Sequence, residues 1–266
     1  MALPIPEPFD LYAPERQFDA NEIFIRDELG LTILNWAKFR HAIHIGNRAS
    51  NLYSSALIPE EVKEAYRELA KSHYEAVTSL GRAKLALHLA SEPGVATRDS
   101  LRFSKSVKDF YCHSCCVVDS LARLIYIIND PDSAFKKDRR YKGCLRRHKI
   151  GWGSLGDYDG YKRLKDSRQL REIRDLRNNL THSWMAPHGR DASNLPWWPI
   201  AVRKRGAYLW PYDELDEMKR VYKGWQPVLQ MLEDDLAFID GLQNNIFGKL
   251  VRDVRKFERN YGIEIR

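Results

Sequence analysis

Apolar residues recur at helical spacing over most of this chain. Ile173, Leu176, Leu180 and Trp184 fall on one side of a helix turning about 100° per residue, with polar residues between them. Val62, Tyr66, Leu69, His73, Val77, Leu80, Lys84 and Leu87 trace a second, mostly apolar stripe. Pro59-Glu60-Glu61 opens that helix and Pro93-Gly94 closes it. A third helix is predicted from near Ser104 to the stop at Asn129-Asp130-Pro131. It is apolar nearly all round from Cys115 to Ile128, as expected of a central helix. Leu34, Trp36, Phe39 and Ile43 predict a first helix, capped at Asp19 or Asn21 and ending near Ile45 before a Gly46-Asn47 loop. The C-terminal region reads as helix from Tyr212-Asp213-Glu214. Pro227 breaks or kinks it, and the stripe Leu229, Leu232, Leu236, Ile239, Ile246 and Leu250 is interrupted at Gln243. That stripe suits the core of a bundle, and is long enough to seat a partner helix as well.

The expected fold class is therefore all-α, a bundle of four to five long helices, with a short β-hairpin over 199–210 turning near Lys204-Arg205-Gly206. Residues 1–20 read as a proline-rich arm, and 21–260 as one helical domain. Two inserts punctuate it: a basic, glycine-rich one at 131–161 and a Trp/Pro-rich one at 187–211. A chain of 266 residues can bury a full core. No uninterrupted apolar run approaches the roughly twenty residues of a membrane span. The N-terminal residues lack the basic start of a secretory signal, and four cysteines make no disulfide framework. These features predict a reduced, cytoplasmic protein with no membrane partner.

Charge sharpens the picture. The net charge is +7, and Lys136, Lys137, Arg139, Arg140, Lys142, Arg146, Arg147 and Lys149 stand against Asp138 alone between Phe135 and Ile150. That segment matches the excess of the whole chain. It suits a polyanion, or equally a solvated basic loop. Trp152, Tyr158 and Tyr161 follow it, so aromatic rings are available to stack single-stranded bases beside the cations. The glycines at 151, 153, 156 and 160 lack the Gly-Lys-Ser/Thr ending of a phosphate loop. His41 and His44 sit one turn apart without an acidic third ligand nearby, and read as packing or surface residues rather than a metal site. Cys112, His113, Cys115 and Cys116 crowd within about a turn of helix. That favours buried thiols over a closed zinc site, although Cys144 and His148 could supply a second pair. Neither metal nor cofactor is expected.

The chemistry concentrates after Arg174. Arg174, Arg177, Asn178, Thr181 and His182 are expected together on the polar side of this helix, which would offer two guanidinium groups, an amide, a hydroxyl and an imidazole. Arg177-Asn178-x-x-x-His182 resembles the signature of the HEPN superfamily: an Arg, often followed by a polar residue, with a His after a spacer of four to six. Looser matches at Arg67/His73 and Arg82/His88 have Glu68 and Ala83 after the Arg, where the signature favours Asn, Asp or His; only the 177–182 copy has one of these. The resemblance is close over this helix and loose over about 60–260. It implies a helical bundle and, for many members, metal-independent ribonuclease activity in toxins or antiphage effectors. There a homodimer brings two motif helices together. It implies catalytic roles for Arg177, Asn178 and His182; from their own charge and ring surface, Arg174 is expected to bind phosphate and the basic segment with Trp152 to hold RNA. An antitoxin or other regulatory protein would be a further partner. Some toxin members carry a modifiable Tyr two residues after the His. Trp184 stands there in this chain, so that regulation is not carried over.

The residues support the same chemistry directly. Metal-free RNA cleavage needs a base for the 2′-OH, an acid for the leaving 5′-oxygen and cations for the phosphorane. Histidine serves as acid or base near neutrality, and arginine stays charged. Arg177 lies about 140° from His182 around the helix, so its side chain must reach back. One helix supplies one imidazole, so separate acid and base call for a second copy. Two other readings remain: a non-catalytic RNA- or nucleotide-binding module, and a helical protein-interaction scaffold in which Arg174 and Arg177 pair with nearby acids.

Overall fold

A computed structural model describes residues 22–27, 30–92, 94–95, 100–129, 167–182, 189–190, 196–201 and 222–263. Five helices make up most of it: α1 (Trp36–Tyr53), α2 (Glu60–Ser91), α3 (Ser100–Asn129), α4 (Arg168–His182) and α5 (Val228–Asn260). The fold is the expected all-α bundle with minor β structure. The N-terminal arm, the basic segment Lys136–Lys149, Trp152, Tyr158, Tyr161, Cys144, His148, Trp184 and the turn at 204–206 lie outside the described residues.

The N-terminal part differs from the expectation. Glu22–Asp27 (β1) and Gly30–Asn35 (β2) form an antiparallel hairpin, not a helix capped at Asp19 or Asn21. Ile23, Ile25, Thr32 and Ile33 favour extended backbone, and Gly30 adopts φ +117°, a conformation that suits glycine. Ile23 and Ile25 pack against the core while Phe24 points outward, the period-two pattern of a strand. The helix starts at Trp36, where the Asn35 side chain accepts a hydrogen bond from the Lys38 backbone N–H at 3.0 Å. It also runs through Gly46-Asn47 to Tyr53, because Ala42, Ile45 and Ala49 extend the buried stripe past that point, whereas Ile43 is exposed.

The sheet nearer the C-terminus departs too. Strand β4 (Pro196–Ala201) pairs with β3 (Gly189–Arg190) on one side and β5 (Tyr222–Pro227) on the other, all antiparallel. The partner of β4 is thus a segment expected to be helical. Tyr222 and Trp225 suit a strand, and Gly224 disfavours a helix. Pro227 therefore ends β5 immediately before α5 and kinks no helix.

The centre is α2, which packs on α1, β2, α3 and α5. Val62, Tyr66, Leu69, His73, Val77 and Leu80 are all buried, as the stripe predicted. Helix α3 is long and apolar enough over Leu101–Ile128 to cross a bilayer by composition. In the bundle Phe103, Val107, Phe110, Val118, Leu121 and Ile125 are each almost fully enclosed, and α2, α4 and α5 pack on it. Its apolarity is that of a core helix.

Polar anchors join the helices. On α5, Asp235 accepts from Tyr111 Oη at 2.9 Å, Asp240 from Lys38 Nζ at 2.9 Å, and Glu258 from Tyr66 Oη at 2.8 Å. Gln243, which interrupts the apolar stripe, is itself buried and donates to the Ala76 carbonyl at 2.8 Å. His41 Nδ1 and His73 Nε2 lie 3.1 Å apart inside the core, with the His73 ring stacked on Phe247. The one-turn pair His41 and His44 is thus divided: His41 turns inward to α2, and His44 is half-buried.

One close approach sets the seat of β2. A Cβ built on Gly81 of α2 would lie 2.2 Å from the Ile33 carbonyl oxygen and 2.7 Å from Leu34 Cδ2. Gly81→Ala should therefore cost about 2 kcal/mol or more, as overpacking against backbone does. Gly248→Ala on α5, where nothing lies within 4 Å, should gain up to about 1 kcal/mol from helix propensity. Thermal melts of the two variants should move in opposite directions.

Acid should weaken the fold through the histidine pair. Burial pushes His41 down to about 4, helped by His44, and pushes His73 well below the usual histidine range, helped by His41. As pH falls below about 6.5 the unfolded chain takes up these protons first. Stability then declines until the folded state also protonates, a loss of about 3 kcal/mol for His41 alone. Urea midpoints should fall between pH 7 and 4.5, and more shallowly in a His41→Leu/His73→Phe variant.

Candidate functional site

Helix α4 owes its orientation to a few contacts. Leu170, Ile173 and Leu180 are buried and Leu176 is packed against the core, which is the stripe expected from the sequence with Leu170 added. Ser167 begins the helix, its hydroxyl accepting from the Leu170 N–H at 3.4 Å. Gln169 donates to Asp235 Oδ1 at 3.0 Å, so the carboxylate that binds Tyr111 of α3 also holds the first turn of α4. The Cys115 thiol lies 3.9 Å from the Ile173 carbonyl oxygen. Burial raises the Asp235 carboxyl above the usual range, and the bonds from Gln169 and Tyr111 partly offset it.

The outward face carries Arg168, Arg171, Arg174, Asp175, Asn178 and Thr181, all exposed. Arg168 pairs with Glu172 at 2.7 Å and Arg174 lies 3.8 Å from Asp175. The Thr181 hydroxyl donates back to the Arg177 carbonyl at 2.7 Å. Arg174, Asn178 and Thr181 thus sit where the helical spacing put them. His182 is the last residue of α4, and its side chain lies outside the described residues.

Arg177 departs from the expected open face. It is half-buried at the flank of the helix, turned toward α3, with Cys115 and Asp119 as its electrostatic neighbours. Partial burial opposes its charge, but the Cys115 and Asp119 side chains outweigh that and raise its pKa, so the guanidinium stays charged. Its Nε is buried without a hydrogen-bond partner among the described residues. Cys115 is inert by the same geometry: burial pushes its thiol up to about 12 despite the adjacent Arg177. Cys112 and Cys116 are free thiols at the surface side of α3.

No three His, Cys, Asp or Glu side chains among the described residues converge as metal ligands. The cavity between β2, α1, α2 and α5 measures about 10 Å³, room for one water and no substrate. Helix α4 presents an open polar face with three exposed arginines.

The sequence did not single out Asp235, Tyr111 and Gln169, which fix α4 against the bundle. Their pairing joins residues 66 and 124 positions apart, and no local pattern encodes it. Arg168 and Arg171 were legible in principle, since they precede Arg174 at three-residue steps.

Neither protein-family models, nor curated proteins, nor solved structures give a match to this chain. The resemblance of the 177–182 segment rests on its own residues.

Asp235→Ala would remove the carboxylate that accepts from both the Tyr111 hydroxyl and the Gln169 amide. It should cost about 2–4 kcal/mol and lower Tm by roughly 5–15 °C. Amide exchange should accelerate most along α4. Tyr111→Phe, which leaves Asp235 its bond from Gln169, should cost less.

Proposed function

We propose that this protein is a cytoplasmic endoribonuclease of the HEPN type, cleaving RNA through attack of the 2′-OH on the adjacent phosphodiester. His182 acts as general acid or base, and Asn178 orients the ring or the 2′-OH from one turn away. Arg177 stabilises the charge of the phosphorane, and Arg174 binds a non-bridging phosphate oxygen. The products are a 2′,3′-cyclic phosphate and a 5′-OH. Because each helix carries a single motif imidazole, base and acid come from two chains, with the motif helices facing in a homodimer. The segment Lys136–Lys149 with Trp152 holds the RNA. A toxin or antiphage role, restrained by an antitoxin or regulatory protein, fits such an activity.

The observation that carries this reading is the arrangement of Arg177-Asn178-x-x-x-His182 on a helix whose opposite face is core. Asn178 and Arg174 are thereby left outward and Arg177 charged at the edge of the same surface. A second reading draws on the same Arg177. Its half-buried place beside Cys115 and Asp119 would suit a structural arginine in a module that binds RNA without cleaving it.

Incubation with RNA in EDTA separates the two. The wild type should cleave, leaving cyclic phosphate ends, and His182→Ala should reduce the rate at least about 100-fold. Salt-dependent binding without turnover, lost on charge reversal across Lys136–Lys149 and intact in His182→Ala, would establish the binding module instead. Equal cleavage by wild type and variant would remove His182 from the mechanism.

A further inference from the structure

Helix α4 carries cations where its own dipole does not favour them. Arg168, Arg171 and Arg174 occupy its first two turns, and its first turn holds no acidic residue. Cations at a helix N-terminus work against the helix dipole. The acids that follow compensate weakly. Arg168 is 77% exposed and pairs with Glu172, which stands C-terminal to it, the less favourable order. Arg174 and Asp175 are both open to solvent at 3.8 Å. Exposed pairs of this kind add little to stability. Over Arg168–His182 four arginines face two carboxylates.

The same residues are well placed for a strand of phosphates. Three-residue steps keep Arg168, Arg171 and Arg174 within about a 120° arc of the helix, and Asn178 falls inside that arc. All four are exposed, and the arc lies opposite Ile173 and Leu180. At 1.5 Å per residue, Arg171 is about 16 Å and Arg168 about 21 Å along the axis from His182. A stacked strand advancing about 3.4 Å per nucleotide covers that span in five or six nucleotides.

We propose that Arg168 and Arg171 extend the substrate site of α4 into a track for the backbone of single-stranded RNA, which runs along the helix axis toward the motif. The proposal rests on the ribonuclease reading above for the identity of the anion. Guanidinium groups hold phosphate oxygens without reading bases, so the track confers length dependence and not sequence preference. A single strand fits because its backbone can follow the helix and still present the 2′-OH for in-line attack. Glu172 and Asp175 release the arginines to the stronger phosphate acceptors as the strand docks.

The test uses the full chain carrying His182→Ala, with and without Arg168→Gln/Arg171→Gln. A fluorescent 20-nucleotide oligouridine is titrated at several salt concentrations. The double substitution should weaken binding about 5- to 20-fold and reduce the slope of log affinity against log salt by about 0.7 for each arginine–phosphate pairing removed. Arg168→Lys/Arg171→Lys should restore most of that slope. In proteins that retain His182, Arg168→Gln/Arg171→Gln should raise KM for the 20-mer with little change in kcat. It should leave cleavage of a dinucleotide unaffected. The melting temperature of the double variant should not fall, and should rise slightly, since both exposed cations oppose the helix dipole.

Unchanged affinity and slope, in a protein that binds and cleaves RNA, would overturn the track and leave the ribonuclease reading standing. A parent protein that neither binds nor cleaves RNA would overturn both. A double variant with normal RNA binding but an altered sedimentation coefficient would assign the row to a protein interface, against the proposal.

Discussion

The bundle depends on a helix that is not purely apolar. Helix α5 lays Val228, Leu232, Ile239, Ile246, Leu250 and Phe257 into the core, and apolar packing alone would tolerate sliding or rotation by a turn. Asp235, Asp240, Gln243 and Glu258 remove that freedom. Each has a specific donor or acceptor on another helix, at 2.8 to 2.9 Å. A one-turn slip would leave several of these groups buried without partners, at a cost comparable to the whole margin of stability. The buried charges carry a desolvation cost: Lys38 is lowered by burial, with Asp240 opposing the shift. Such anchors contribute register more than raw stability.

Register is what the candidate site inherits. Asp235 is shared between Tyr111 of α3 and Gln169 of α4, so the angle at which α4 presents Arg174 and Asn178 is set three helices deep. Arg177 adds a second tie, reaching toward Cys115 and Asp119 on α3. The motif helix is thus held along both its core stripe and its flank while its outer face stays open. Its exposed polar surface thus stands on a firmly held support.

Much of the helical architecture was legible in the sequence because helical periodicity is a local signal. The boundaries of α2 follow from Pro59-Glu60-Glu61 and Pro93-Gly94, and the centrality of α3 follows from its apolar run. The β structure was not. The stretch 22–35 contains Leu34 in phase with the stripe of α1, and that phase match hid the alternation of Ile23, Phe24 and Ile25. Strands β4 and β5 find each other across about twenty intervening residues, whereas the turn read at Lys204-Arg205-Gly206 pointed to a nearer partner. At the site, spacing correctly placed Arg174, Asn178 and Thr181 outward. The expectation of an open Arg177 failed: at 100° per residue it stands within about 60° of Ile173 and Leu180, and Cys115 and Asp119 of another helix draw it to that edge. Gln243 teaches the same lesson: an interruption in an apolar pattern became a buried link to Ala76.

The anchors of α5 also order events during synthesis. The partners of Asp235 and Asp240 lie 124 and 202 positions earlier in the chain. While a ribosome has made only the first four helices, Tyr111, Lys38, Tyr66 and the Ala76 carbonyl still await the α5 groups they bind, and the groove that α5 fills is wet and open. Long-range pairings of this kind close late. The frame beneath α4, including its hold through Asp235, is complete only after residues 228–260 emerge. A nascent chain would therefore reach its mature surface only once that helix has been translated.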